Sequence, residues 1–171
     1  PKNIKETQMY KFMEYINSSY NLKIKSYEEL HQWSIDNLYD FWKEIWTYSK
    51  IIYSKPYKKV VDDIYKMPFA KWFTGSKLNY AENLLKGNPN QVAVISLGES
   101  GKTKSMTFRE LNLKVSSVQK GLINLGVKKG TIVAGFVPNC VETVIIMLAV
   151  SSLGGIWTSC SPDFGSRGVV D

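Results

Sequence analysis

Thr131–Gly165 reads TIVAGFVPNCVETVIIMLAVSSLGGIWTSCSPDFG, and this stretch decides the fold. Thr131–Val137 is a continuous apolar run, the kind found in strands covered on both faces of a parallel sheet. Asn139 and Glu142 read as a cap pair opening a helix that runs to about Leu153. That helix is apolar almost all round, so it needs cover on most sides. Gly154-Gly155 stops it, and Ile156–Cys160 is the next strand. The loop Ser161-Pro162-Asp163-Phe164-Gly165 follows. A wound sheet binds ligands beyond the carboxyl ends of its strands, which is where Pro138-Asn139 and Ser161–Gly165 are expected to lie.

Upstream, Thr107-Phe108-Arg109-Glu110 is a capping box. The helix it opens carries Phe108, Leu111, Val115, Val118, Leu122 and Leu125 at spacings of three and four, and Gly126 ends it. Gln91–Ser96, with alternating Val92 and Val94, and Thr103–Thr107 read as a hairpin around Gly98–Gly101. Short connections between strands and helices predict an α/β fold with a doubly wound sheet and right-handed crossovers. Gly87-Asn88-Pro89-Asn90 is a loop. It sets the expected boundary between a helical, aromatic-rich extension (1–90) and an incomplete α/β part (91–171).

The extension shows one helical stripe within Ile4–Asn17, at Met9, Phe12, Met13 and Ile16. Ser26-Tyr27-Glu28-Glu29 is a second capping box, opening a short helix through about Trp33. Ile35–Tyr48 carries Leu38, Phe41, Trp42, Ile45 and Trp46 on one face, spaced for core packing rather than for a ligand-stacking box. Ile51–Ala70 has no clean period and is broken by Pro56 and Pro68. Lys71–Leu85 is irregular, with a turn at Gly75 and a short helix over Tyr80–Leu85.

Composition excludes several classes. With 44% hydrophobic and 22% charged residues, the chain is globular rather than disordered. The net charge of +7 is spread along it, +3 over residues 1–60 and +4 over the rest, which argues against a nucleic-acid surface. A basic nucleic-acid-binding domain would show strongly salt-dependent binding. No apolar run is long enough to span a bilayer. Cys140 and Cys160 read as reduced structural thiols, with neither a disulfide nor a metal site. A cytoplasmic location is expected. His31 has no ligand-spaced neighbour and reads as structural.

Motifs that carry chemistry by themselves are missing. There is no G-x-G-x-x-G after a strand, no G-x-x-x-x-G-K-[ST], no G-x-S-x-G, and no carboxylate pair with a neighbouring histidine. Residues alone lead to an α/β domain with an aromatic helical extension and a ligand loop at 161–165.

Four segments go further. Trp72-Phe73-x-Gly75-x-x-Leu78-Asn79-Tyr80-Ala81-Glu82-Asn83-Leu84-Leu85 resembles the lead-in to an adenylating domain. Met106-Thr107-Phe108-Arg109-Glu110-Leu111 is similar to the first motif of the acyl-adenylate-forming superfamily, and Leu153–Gly165 to its second. The Ser-Pro-Asp-Phe-Gly ending, and the pattern from Ser26 to Trp42, resemble the acetoacetyl-CoA synthetase branch. This resemblance implies a ligase that joins acetoacetate to CoA with ATP and Mg²⁺ through an acyl-adenylate. It implies an acyl-CoA synthetase-like adenylating domain whose first strands and helices follow the extension. The family's phosphate loop, adenine motif, ribose-binding Asp, hinge and adenylation Lys would fall beyond residue 171. The chain is then an N-terminal portion that needs the C-terminal remainder as its partner, holds no catalytic or metal-binding residue, and is inactive alone. Ser161, Pro162, Asp163, Phe164 and Gly165 are the candidate residues beside the CoA and substrate site. The competing reading of this loop is a tight turn, with Pro162 fixing the backbone and Asp163 capping the next helix. An acetyl- or propionyl-CoA synthetase-like ligase, and a non-catalytic nucleotide- or partner-binding module, remain as alternatives.

Overall fold

The computed structural model describes residues 3–170. Its internal contacts divide the chain into two units, between Leu78 and Asn79.

The first unit opens with a 3₁₀ turn, Ile4–Glu6, then helices α1 (Gln8–Tyr20), α2 (Tyr27–Asp36) and α3 (Leu38–Tyr48). Helix α1 starts later than its apolar stripe suggests. Thr7 takes the cap position, where its hydroxyl accepts the Tyr10 amide at 3.2 Å. Phe12, Met13 and Ile16 are buried, while Met9 is half exposed. Between α1 and α2, the Asn17 carboxamide bonds both backbone groups of Ile24, at 2.9 and 2.8 Å. The Ser26 box forms with one change. Ser26 accepts the Glu29 amide, but the Glu29 carboxylate accepts from the Lys25 N–H at 2.7 Å. The run expected over 35–48 is broken at Asn37, whose side chain donates to the Trp33 carbonyl at 3.0 Å.

Aromatic packing dominates this unit. Phe12 lies against Phe41 and Tyr48, and Tyr20 against Trp33. Trp46 sits among Tyr53, Tyr57 and Phe73, with ring centres 4.7 Å apart for Phe73. The aromatic face of α3 is therefore used in packing, each ring pair adding to the area it buries. Two strands absent from the sequence expectation, β1 (Lys59–Val61) and β2 (Trp72–Thr74), pair antiparallel, Lys59 with Thr74 and Val61 with Trp72. Three residues are too few to display a period of two.

The second unit contains α4 (Tyr80–Leu85), β3 (Val92–Leu97), β4 (Thr103–Thr107), α5 (Phe108–Asn124), β5 (Ile132–Phe136), α6 (Val141–Ser152), β6 (Ile156–Cys160) and α7 (Ser166–Val170). Helix α4 belongs here rather than to the extension, because Ala81 is fully buried with Leu111 and Val115 of α5 and Ile145, Leu148 and Ala149 of α6. The division thus falls before α4, ahead of the loop at Gly87–Asn90. Strands β3 and β4 form the expected hairpin, with a bulge between Val92 and Val94 that turns Ala93 and Val94 to the core and leaves Val92 outside.

The Thr107 capping box is complete. Thr107 Oγ1 accepts the Glu110 amide at 3.3 Å, and the Glu110 carboxylate accepts the Thr107 N–H at 2.7 Å. These bonds hold the Glu110 carboxyl below its usual range, the Thr107 amide contributing most. At the far end, the Val127 amide reaches back to the Leu122 carbonyl and that of Gly126 to Ile123, the paired closure expected of a glycine stop. Leu125 is the cap residue just before this stop and is exposed. Strands β5 and β6 pair in parallel across α6. Among the described residues the hairpin and this pair are separate two-stranded sheets, so one parallel strand–helix–strand unit of the expected wound sheet is present.

Candidate functional site

The register of β5 and β6 runs from Ile132 opposite Ile156 to Phe136 opposite Cys160. Both strands therefore finish at the same end, and Pro138-Asn139 and Ser161–Gly165 leave from it. Two glycines set the closeness of this unit. A Cβ on Gly135 would lie 2.5 Å from the Trp157 ring, so the indole packs directly on the β5 backbone. One on Gly155 would lie 2.8 Å from a Val150 methyl and 3.2 Å from the Thr131 carbonyl. Val150 is fully buried, so only glycine lets α6 end this tightly against the start of β6.

The candidate loop is exposed at Ser161, Pro162, Asp163, Phe164 and Gly165. Ser161 organises it. Its hydroxyl donates to the Asp163 carboxylate at 2.8 Å and accepts the Asp163 amide at 3.3 Å, while its carbonyl accepts the Phe164 amide at 3.1 Å. The loop is a self-bonded turn, and the described partner of Asp163 is Ser161, not an amide of α7.

The start of α6, at the other strand end, is built differently from the expected cap pair. The cap residue is Cys140, with no side-chain cap bond, and Asn139 is exposed. Cys140 Sγ lies 3.5 Å from Thr143 Oγ1, whose hydroxyl donates to the Pro138 carbonyl at 2.8 Å. Glu142 sits in the first turn. Its own backbone amide, then Cys140, then Lys104 and Lys114 hold its carboxyl below the usual range. Beside it an open groove of about 140 Å³ lies between β3 and residues 139–144. A neighbouring one of about 320 Å³ is lined by Lys102, Lys104 and Glu142 among others. Neither groove is lined by Ser161–Gly165. Both cysteines are free and half-buried. Among the described residues no group of three His, Cys, Asp or Glu side chains could hold a metal ion, and no helix is long and apolar enough to cross a membrane.

Asn79, part of the lead-in segment, has a role the sequence does not announce. Its carboxamide oxygen accepts the Glu82 amide at the start of α4, at 3.1 Å. Its nitrogen donates to the Ser151 and Ser152 carbonyls at the end of α6, at 3.2 and 3.1 Å. One amide thus satisfies the amino end of one helix and the carboxyl end of another. Asn79→Ala is expected to cost about 1–2 kcal/mol. Asn79→Asp keeps the α4 cap but sets a negative charge against the carbonyl end of α6, so it should be no better than alanine. Urea unfolding of both variants checks this; full stability in Asn79→Asp would contradict the second bond.

Glu44 is the other residue that sequence reasoning passed over. It lies three residues after Phe41 and four before Tyr48 on the apolar face of α3, and it is buried. The Tyr15 and Tyr20 hydroxyls of α1 donate to it. Its helical spacing was the available signal.

The acetyl-coenzyme A synthetase N-terminus family matches residues 27–84, and the AMP-binding enzyme family matches residues 81–170. The chain is similar along its full length to the acetoacetyl-CoA synthetase of Xenopus tropicalis, at 43% identity and 26% of that enzyme's length. It is 41% identical, over 98% of its length, to a malonamoyl-CoA synthetase of Penicillium aethiopicum, covering 24% of it. The solved acetoacetyl-CoA synthetase from Streptomyces lividans superposes on 99% of the chain with a TM-score of 0.87 at 35% identity, again over 27% of its own length. The chain spans about a quarter of the length of the curated relatives it matches. With more than half of its residues matched by that family's model, the chain belongs to the AMP-binding enzyme family.

Proposed function

We propose that this chain is the N-terminal portion of a cytoplasmic acetoacetate–CoA ligase. The observation that carries this reading is similarity to acetoacetyl-CoA synthetases over the whole chain, extension included, at about 40% identity. In the proposed reaction an acetoacetate oxygen attacks the α-phosphorus of ATP and expels pyrophosphate. The CoA thiolate then adds to the acyl carbon, and AMP leaves as the tetrahedral intermediate collapses. A carboxylate is a poor electrophile, so the adenylate supplies the leaving group. Mg²⁺ and phosphate-binding groups would offset the charge that moves onto the phosphates. These groups are expected in the remainder of the enzyme. The part of the reaction assigned to this chain is scaffolding, with Ser161–Gly165 beside the CoA entry.

The test is AMP and pyrophosphate formation from ATP, acetoacetate and CoA by the product of the complete reading frame. Acetoacetate-dependent AMP is expected there, and none from the 171-residue chain alone. Activity in the short chain would overturn the division of labour.

Asp163→Ala in the complete enzyme tests the loop. Because Asp163 is exposed and bonds only within its own turn among the described contacts, melting should stay within about 2 °C. The KM for CoA should rise. An unchanged KM with lowered stability would make the loop a purely structural turn.

A further inference from the structure

Strands β5 and β6 end in matched turns. Phe136 and Cys160 are the last register pair. A proline stands two residues after each, followed by a side chain of the same shape. Val137-Pro138-Asn139 follows β5, and Ser161-Pro162-Asp163 follows β6. Paired strands lie about 4.8 Å apart. The two turns therefore leave the sheet side by side, at the carboxyl end where a wound sheet takes its ligands.

Each turn is fixed by its own bonds. The Pro138 carbonyl accepts the Cys140 amide at 3.0 Å and the Thr143 hydroxyl at 2.8 Å. Asp163 is held by the Ser161 hydroxyl, and no cationic side chain pairs with it among the described residues. The Asn139 carboxamide is exposed and has no hydrogen-bond partner among the described residues. It also forgoes the helix cap for which its chemistry is best suited, since Cys140 occupies that position with no side-chain bond. A local rule broken without structural gain is expected at functional positions. Asn139 can donate and accept, whereas the Asp163 carboxylate only accepts. An unpaired carboxylate repels a phosphate placed beside it. The two side chains instead suit an uncharged group that carries an N–H next to an acceptor, such as an amide or an amino-substituted ring.

We propose that Asn139 is a second CoA-contacting residue, acting with Asp163 to hydrogen-bond an uncharged part of CoA, its amide arm or its adenine, rather than its phosphates. The inference rests on the ligase reading above, with Ser161–Gly165 beside the CoA entry.

Steady-state kinetics and calorimetric CoA binding of the complete enzyme test it. Asn139→Ala should raise the KM and the Kd for CoA about three- to tenfold, the worth of one hydrogen bond. The KM values for ATP and the acid should not move, and melting should stay within about 2 °C of the parent. Asn139→Asp keeps the shape but loses the donor and sets a second carboxylate beside Asp163, so CoA should weaken at least as much. Unchanged CoA affinity in both variants would overturn the proposal. Tighter CoA binding in Asp163→Ala would place the phosphates at these turns and overturn it too. Pantetheine, which lacks adenine and phosphates, then serves as the thiol acceptor. An equal loss of kcat/KM with pantetheine and with CoA in Asn139→Ala assigns the amide arm, and a loss with CoA alone assigns the adenine; both support the contact. A parent enzyme that binds CoA but forms no AMP from acetoacetate would remove the ligase reading of its acid, while the CoA measurements still decide this inference. An acetoacetate-active parent whose variants bind CoA unchanged would do the reverse.

Discussion

Leu148→Ala is expected to destabilise the second unit by about 3 kcal/mol, within the 2–5 kcal/mol range of buried leucine truncations. Leu148 is 3% exposed, on the face of α6 that meets α4 and α5. Its neighbours Leu111, Val115, Ile145 and Ala149 are buried, and Ala81 of α4 contributes a fully buried methyl. Helix positions on three sides hold the walls apart, so the void cannot close by moving one side chain. Leu148→Met conserves volume and should cost less than about 1.5 kcal/mol. Leu113→Ala, on the exposed side of α5, should fall within about 0.5 kcal/mol of the parent. Urea midpoints followed by circular dichroism order the three. A Leu148→Ala midpoint equal to that of Leu113→Ala would mean that α6 is not the centre of this core.

Glu44→Ala carries the second large effect, about 2–3 kcal/mol in the first unit. Glu44 is 7% exposed, and its two carboxylate oxygens take different partners. Tyr15 donates to Oε2 at 2.5 Å and Tyr20 to Oε1 at 3.1 Å, with the Lys43 ammonium 3.6 Å from Oε1. Alanine leaves both phenols of α1 without their acceptor. Glu44→Gln retains one acceptor oxygen and turns an amide N–H₂ toward the other phenol, so an intermediate loss is expected.

The same contact sets an alkaline dependence. Both phenols are raised above the ordinary value of 10.0, Tyr15 chiefly by its bond to Glu44 and Tyr20 chiefly by burial and then by Glu44. A group raised in the folded state stabilises fully below its unfolded pKa. That contribution is lost as pH climbs above about 10, where tyrosines of the unfolded chain ionise first. Stability of the parent should therefore fall with rising pH above about 10. The fall should be shallower in Glu44→Gln, which lacks the carboxylate that opposes ionisation. Equal slopes would show that Glu44 does not control these phenols.

Local signals were legible where one or two side chains settle a helix end. Thr107 and Glu110 cap α5 as their spacing requires, and the short helix α4 covers the expected Tyr80–Leu85. Signals failed where tertiary contacts chose between near-equal options. The spacing places one helix end near Trp33 and the next start at Ile35, yet the break falls at Asn37, whose amide bonds the Trp33 carbonyl and which precedes α3. Asn139 has the better capping chemistry, but Cys140 takes the cap position of α6. Strands β1 and β2 carry three residues each and depend on each other. At the site, the order of β5, α6 and β6 was readable and placed residues 161–165 correctly at a strand end. That the loop stands apart from the grooves beside α6 was not readable, because those grooves are formed by β3 with residues far along the chain. The apolar run of β5 predicts a strand covered on both sides, and among the described residues one side is uncovered.

Acid selectivity tests the central claim most directly. Acetoacetate and malonamate share a carbonyl at the carbon β to the carboxylate, whereas acetate and propionate lack it. The chain is as similar to a malonamoyl-CoA synthetase as to acetoacetyl-CoA synthetases, so both acids belong in the comparison. The measurement is kcat/KM for AMP formation by the complete enzyme with each of the four acids at saturating ATP and CoA. The account predicts the highest value for acetoacetate, with acetate and propionate lower. A higher value for malonamate, acetate or propionate, or AMP formation that does not depend on acetoacetate, would contradict it.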